Sequence, residues 1–252
     1  YWDFDGLNLT LEKLDGLVKQ NGPLDLERHP LVALAVTEAG IGGQIALDLL
    51  GSAEAQAAAV ADDIAFNNHD IDDALRARFL DFGALADVPL AGRFVRDVLA
   101  RDRQADWRRA FYEVNRRMIT AMIEDVLAAS RRRIASMADK TPDGVAHRTG
   151  PVITFSDAMA AELSALRKFL FAEVYRNERL MRPMRNAEVI VRNLYKRYVR
   201  APHDLPGERS TTLAALPEDV RERAIGDFIA GMTDRFAVAE HRRLFDDTPD
   251  LV

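Results

Sequence analysis

Apolar residues recur at helical spacing along nearly the whole chain. Leu11, Leu14, Leu17 and Val18 make one stripe of a short amphipathic helix. Thr10 is placed to cap its start, and Gly22-Pro23 to stop it. A second apolar stretch, from about Leu31 to Leu50, is interrupted by Gly40, Gly42 and Gly43 and reads as one broken helix or two short ones. Ser52 opens a long alanine-rich helix through about Leu80. Pro89 starts a shorter one ending near Arg101. From about Ala105 to Met137, Trp107, Phe111, Val114, Met118, Met122, Val126 and Ile134 recur mostly three or four apart. That spacing predicts a single helix of roughly 50 Å. Lys140-Thr141-Pro142-Asp143-Gly144 and Gly150-Pro151 punctuate a loop over 138–154. Ser156 caps a helix through about Leu180, Pro183 marks a break, and another helix runs to about Arg200. A polar loop follows from Pro202 to Leu216, and Pro217-Glu218-Asp219 starts the last helix. No strand pattern or internal repeat stands out. The expectation is an all-α fold, a single helical domain over 1–252 of about seven or eight helices, with the two longest as its spine.

Composition narrows the function classes. No apolar run reaches the roughly 18 residues a membrane span needs, and no signal peptide is visible. Cysteine is absent from the 252 residues, which excludes disulfides, thiolate catalysis and thiolate zinc sites and fits a cytoplasmic protein. A net charge of −6 makes the chain as a whole no attractor of nucleic acid, although Arg131-Arg132-Arg133 and Lys196-Arg197 are local basic clusters.

Candidate chemistry concentrates in Val60–Ala74, where polar residues interrupt a good buried helix. Asp62, Phe66 and Asp70 stand at i, i+4 and i+8, and Asp73 returns close to the direction of Asp62. Carboxylates on such a strip either form a solvated acidic face or handle a hard divalent cation or phosphate. The residue pattern leaves both open.

The stretch Ala61-Asp62-Asp63-Ile64-Ala65-Phe66, continuing through Asn67-Asn68-His69-Asp70-Ile71-Asp72-Asp73, resembles the Ala-Asp-Asp-Ile-Ala-Tyr helix of the dGTP triphosphohydrolase family, in the HD-domain superfamily. Three further stretches agree in order. They are Asp3–Thr10 with Val18–Pro23, Lys168–Phe171 through Tyr175-Arg176, and Gly231–Phe236 with Glu240–Phe245. The resemblance implies a metal-dependent hydrolase that converts a deoxynucleoside triphosphate (dNTP) to deoxynucleoside and inorganic triphosphate, cutting between the α-phosphorus and O5′. It implies a divalent metal, magnesium or manganese first, with iron, nickel or cobalt also compatible. Asp62 takes the place of the last metal ligand, and Asp70 that of a sugar contact. Arg167 stands where a basic residue faces the phosphates, Tyr175 where an aromatic packs on the sugar. Phe66 replaces the usual tyrosine and removes a hydroxyl. The early His and the His-Asp pair of the metal set are expected before Tyr1, and the stretch between Pro23 and Ser52 is shorter than in the family. Homo-oligomers, hexamers among them, and single-stranded DNA are the partners the family suggests beside the dNTP.

His69-Asp70 is a poor substitute for the missing pair, because adjacent helical residues point about 100° apart and cannot easily join Asp62 on one ion. His29, His147 and His203-Asp204 read as loop residues, and His241 as a packing residue. The competing function is a non-catalytic helical protein acting through oligomerisation or nucleic-acid binding. The blandest alternative is a scaffold with no site.

Overall fold

The computed structural model describes residues 6–41, 43–101 and 106–251. Asp3-Phe4-Asp5 of the N-terminal motif, Gly42, and the expected helix start at Ala105 lie outside the described residues. Among the described residues there is no strand, and the fold is all-α. The chain gathers into two compact units, Tyr1–Phe171 and Ala172–Val252.

In the first unit, α1 (Leu11–Val18) begins where the Thr10 hydroxyl accepts the Lys13 amide. α2 (Pro30–Glu38) stops at the first glycine, Gly40, which sits at φ +68. The described residues between 39 and 50 are therefore not helical, and the expected second piece does not form among them. Val36, Ile45 and Leu47 fold this segment onto a small core with Leu14 and Val18. α3 (Ala53–Arg76) starts at Ser52, whose hydroxyl accepts the Ala55 amide. It ends a turn earlier than expected. Arg78 adopts φ 57, and the amides of Phe79 and Leu80 both return to the Ala74 carbonyl. That left-handed closure satisfies the helix's last carbonyls. A 3₁₀ turn over Phe82–Asp87 follows, then α4 (Ala91–Arg101).

α5 (Trp107–Ala135) spans 29 residues, about 43 Å at the helical rise. Phe111, Val114, Met118, Met122 and Val126 form its buried row, and α3 and α4 pack against it. Each such side chain contributes about 1.5–3 kcal/mol of burial. The segment expected as pure loop carries a one-turn helix, α6 (Pro142–Ala146), capped by Thr141. α7 (Asp157–Leu170) begins at Ser156 and buries Met159, Leu163, Leu166 and Leu170.

α7 gives way to a π-helical turn, Phe171–Tyr175. The helix break falls at Asn177, not at Pro183. The Asn177 side chain accepts the Arg179 amide and starts α8 (Glu178–Arg200), with Pro183 inside it. As the sixth helical residue, Pro183 forfeits only the bond to the Arg179 carbonyl, and the cap decides the boundary. In the second unit, α8 packs with α10 (Glu218–Ala230) and α11 (Asp234–Leu244). The expected last helix is two, because Gly231 closes α10 and Thr233 caps α11 through the Phe236 amide. The loop between α8 and α10 holds a 3₁₀ turn, Pro202–Asp204, and α9 (Arg209–Ala214). Ile190, Leu194, Tyr198, Leu205, Ile225 and Ile229 make this unit's core.

Candidate functional site

α3 positions most of the candidate residues. Its inner side buries Ile64, Ile71, Ala74 and Leu75, which fixes the rotation of the helix. Asp62, Asp63, Phe66, His69 and Asp73 consequently face outward, and Asp70 is half-buried between the two sides. Asp62 and Asp63 open onto a cleft of about 570 Å³ in the first unit. Its other walls are the turn after α1 (Lys19–Pro23), residues 48–51, and the loop from Ala146 to Thr154.

Gln56, two turns before Asp63 on α3, holds that loop in place. Its Oε1 accepts the amides of Val152 (2.8 Å) and Ile153 (3.1 Å), and its Nε2 donates to the Gly51 carbonyl at 2.9 Å. One buried side chain thus ties two cleft walls to the helix carrying Asp62.

Arg167 comes to the same helix. Its Nη2 lies 2.9 Å from Asp63 Oδ1, and its Nε donates to Asn67 Oδ1 at 3.3 Å. Asn67 is buried, and its own amide donates to the Asp63 carbonyl at 2.5 Å. Asp63 and Asn67, which the sequence reading did not single out, thereby set where the guanidinium sits.

Phe66 is 57% exposed and does not serve the core. Burial pushes the Asp70 carboxyl above its ordinary range, the charge of Asp73 adds to the effect, and His69 opposes it. Asp70 Oδ2 is buried with no hydrogen-bond partner among the described residues. Tyr175 belongs to the second unit, half-buried in the π-helical turn.

The described residues do not complete a metal site. Among them no three His, Asp or Glu side chains gather closely enough to hold an ion. Asp62 offers one carboxylate, and Asp63 is engaged by Arg167. The other histidines do not join Asp62, although His147 lines the same cleft. His147 pairs with Asp143 at 3.4 Å, and His203 is largely exposed beside Asp204, which pairs with Arg197 at 2.5 Å. His241 is fully buried, with Asn193 Nδ2 3.2 Å from Nε2 and Thr248 Oγ1 2.9 Å from Nδ1.

Residues 153–243 match the family model described as phosphohydrolase-associated domain. A deoxyguanosinetriphosphate triphosphohydrolase-like protein of Allorhizobium ampelinum is 44% identical over 257 aligned residues, covering 100% of this chain and 63% of the relative. The chain is homologous over its whole length to deoxyguanosinetriphosphate triphosphohydrolase-like proteins. The like-named protein 1 of Mesorhizobium japonicum is 42% identical and the protein of Brucella ovis 43% identical, each over 100% of this chain and 63% of the relative. The chain therefore spans 63% of the length of these relatives. The matched stretch includes α3 and its cleft as well as the segment matched by the phosphohydrolase-associated model. Among the described residues no helix is long and apolar enough to cross a membrane.

Proposed function

We propose that the whole protein is a metal-dependent hydrolase of deoxynucleoside triphosphates, releasing deoxynucleoside and inorganic triphosphate. In the reaction a water oxygen bonds to the α-phosphorus, the bond to O5′ breaks, and O5′ gains a proton. The observation that carries this reading is Asp62 on the wall of a framed cleft, with Arg167 fixed to the same helix by its neighbour Asp63. Asp62 would serve as one carboxylate ligand of a divalent ion, magnesium or manganese first; the described residues do not supply the rest of its ligand set. Arg167 meets the phosphates as a charge-assisted donor, for which its planar fork is suited. Asp70 accepts from a sugar hydroxyl through its carboxylate, whose buried Oδ2 has no partner among the described residues. Phe66 offers an apolar face in place of a hydroxyl donor.

The test is a triphosphate-release assay on the complete protein with added Mn²⁺ or Mg²⁺. Asp62 is exposed, so Asp62→Ala should change stability by no more than about 0.5 kcal/mol. Activity should be lost while the circular dichroism spectrum is kept. Retained triphosphate release in the folded variant defeats the assignment.

A further inference from the structure

The cleft beside Asp62 is rich in carboxylates, so a polyphosphate there needs, besides any divalent ion, a side-chain cation that is not already paired. Three carboxylates line it, Asp48, Asp62 and Asp63, against two full cations, Lys19 and Arg148. Lys19 is buried and paired with Asp15 at 2.6 Å. Arg167, beside the cleft on α7, is held by Asp63 at 2.9 Å. His147, the neighbour of Arg148, already faces Asp143. Arg148 differs from all of these. It is exposed, and among the described residues its guanidinium has neither an ion pair nor a hydrogen bond.

The turn that presents Arg148 is fixed on both sides. Before it, the Ala146 carbonyl accepts the Leu50 amide at 3.1 Å, and the Arg148 amide reaches the Val145 carbonyl at 3.4 Å. After it, Arg133 Nη1 donates to the Pro151 carbonyl at 3.2 Å, and Gln56 holds Val152 and Ile153. Thr154 donates its amide to Ser130 Oγ at 3.2 Å. A held backbone carrying an unpaired fork of donors is pre-organised for an anion. Resting on the dNTP reading above, we propose that Arg148 is a phosphate-binding residue of this cleft, gripping the triphosphate from the wall formed by the loop after α6. Its role is substrate binding through the phosphate oxygens, with no part in bond breaking.

The experiment is isothermal titration calorimetry on the complete protein with Mg²⁺, using inorganic triphosphate and, separately, a deoxynucleoside. Arg148→Ala should weaken triphosphate binding about tenfold to hundredfold, the worth of a charge-assisted hydrogen bond, and leave deoxynucleoside binding unchanged. Arg148→Lys keeps the charge without the fork and should fall between. Arg132→Ala removes an exposed cation outside the cleft and should change nothing. The proposal is overturned if Arg148→Ala binds triphosphate as the wild type does. It is overturned equally if Arg132→Ala loses as much, or if triphosphate and deoxynucleoside binding weaken together. Wild-type protein that binds neither ligand overturns the dNTP reading itself, and Arg148 with it.

Discussion

Gln56 offers the sharpest test of how the cleft is built. Replacing it by leucine keeps the side chain's approximate bulk and removes all three of its hydrogen bonds. Val152 is fully buried, so its amide loses its partner without gaining water. An unsatisfied buried amide costs about 1–3 kcal/mol, and each of the other two bonds is worth about 0.5–1.5 kcal/mol. The loss should therefore be roughly 2–6 kcal/mol, much of it local to the loop after α6. Two compact units make a single global unfolding energy a poor measure, so the assay should be local. Native-state hydrogen exchange at the Val152 and Ile153 amides should speed up at least about tenfold in Gln56→Leu. Urea unfolding followed by tryptophan fluorescence is a second readout, because both tryptophans, Trp2 and Trp107, fall in the residue range of the first unit. Gln56→Glu keeps the two accepted bonds and loses only the donated one, so protection should be largely retained. Unchanged exchange at Val152 and Ile153 in Gln56→Leu would show that other contacts hold the cleft wall.

Two further outcomes follow from charge and burial. The folded-state pKa of Asp70 is raised above 3.8 by burial first and Asp73 second, so the folded state binds the proton more tightly and ionisation destabilises it as pH rises through that window. Asp70→Asn should raise Tm at neutral pH and match the wild type below about pH 4; a lower Tm at neutral pH would mean the carboxylate is favourably held. Burial lowers the pKa of His241 below 6.5, with Asp247 opposing, so the second unit should lose stability as pH falls below 6.5, through the gap between the unfolded and folded values. The His241 ring signals in an NMR titration should show a midpoint below 6.5, and a midpoint above 6.5 would refute the burial argument.

What the sequence revealed and what it hid divide along the range of the interactions. Thr10, Ser52 and Ser156 each announce a helix start because the bond involved spans three residues. The α5 core row was equally legible, since a 3.6-residue period needs only one helix to be expressed. Helix ends were harder. Ala74 accepts from Phe79 and Leu80 only because Arg78 turns left-handed, and no residue there advertises that conformation. Pro183 misled for the converse reason: a proline near a helix start is tolerated, and the quieter Asn177 sets the boundary. In the site, Asp62 was visible through its local motif. The tie from Gln56 to Val152 spans 96 positions, and the one from Arg167 to Asn67 spans 100. The only sequence sign of either was a glutamine inside an alanine run and an asparagine at a core-facing position.

Those misplaced polar residues also bear on what α3 is for. Asn68 is buried, donates only to the Ile64 carbonyl of its own helix, and leaves its Oδ1 without a partner among the described residues. Half a turn further, Asp70 leaves Oδ2 in the same condition while burial and the charge of Asp73 raise the cost of its own charge. Asn67 donates to the Asp63 carbonyl of its own helix and accepts from Arg167, a group at the candidate site. Apolar residues at these positions would stabilise the first unit, since an unmet buried acceptor costs free energy that a methyl group does not. Folding therefore gives no reason for this concentration of polar groups on an otherwise well-packed helix. Local violations of packing rules are expected where a surface serves a ligand. Here they fall five to eight residues after Asp62, on the helix that forms a wall of the cleft. Under the proposed function, that placement assigns the polar side of α3 to the ligand Asp62 would handle, on grounds of packing and hydrogen bonding.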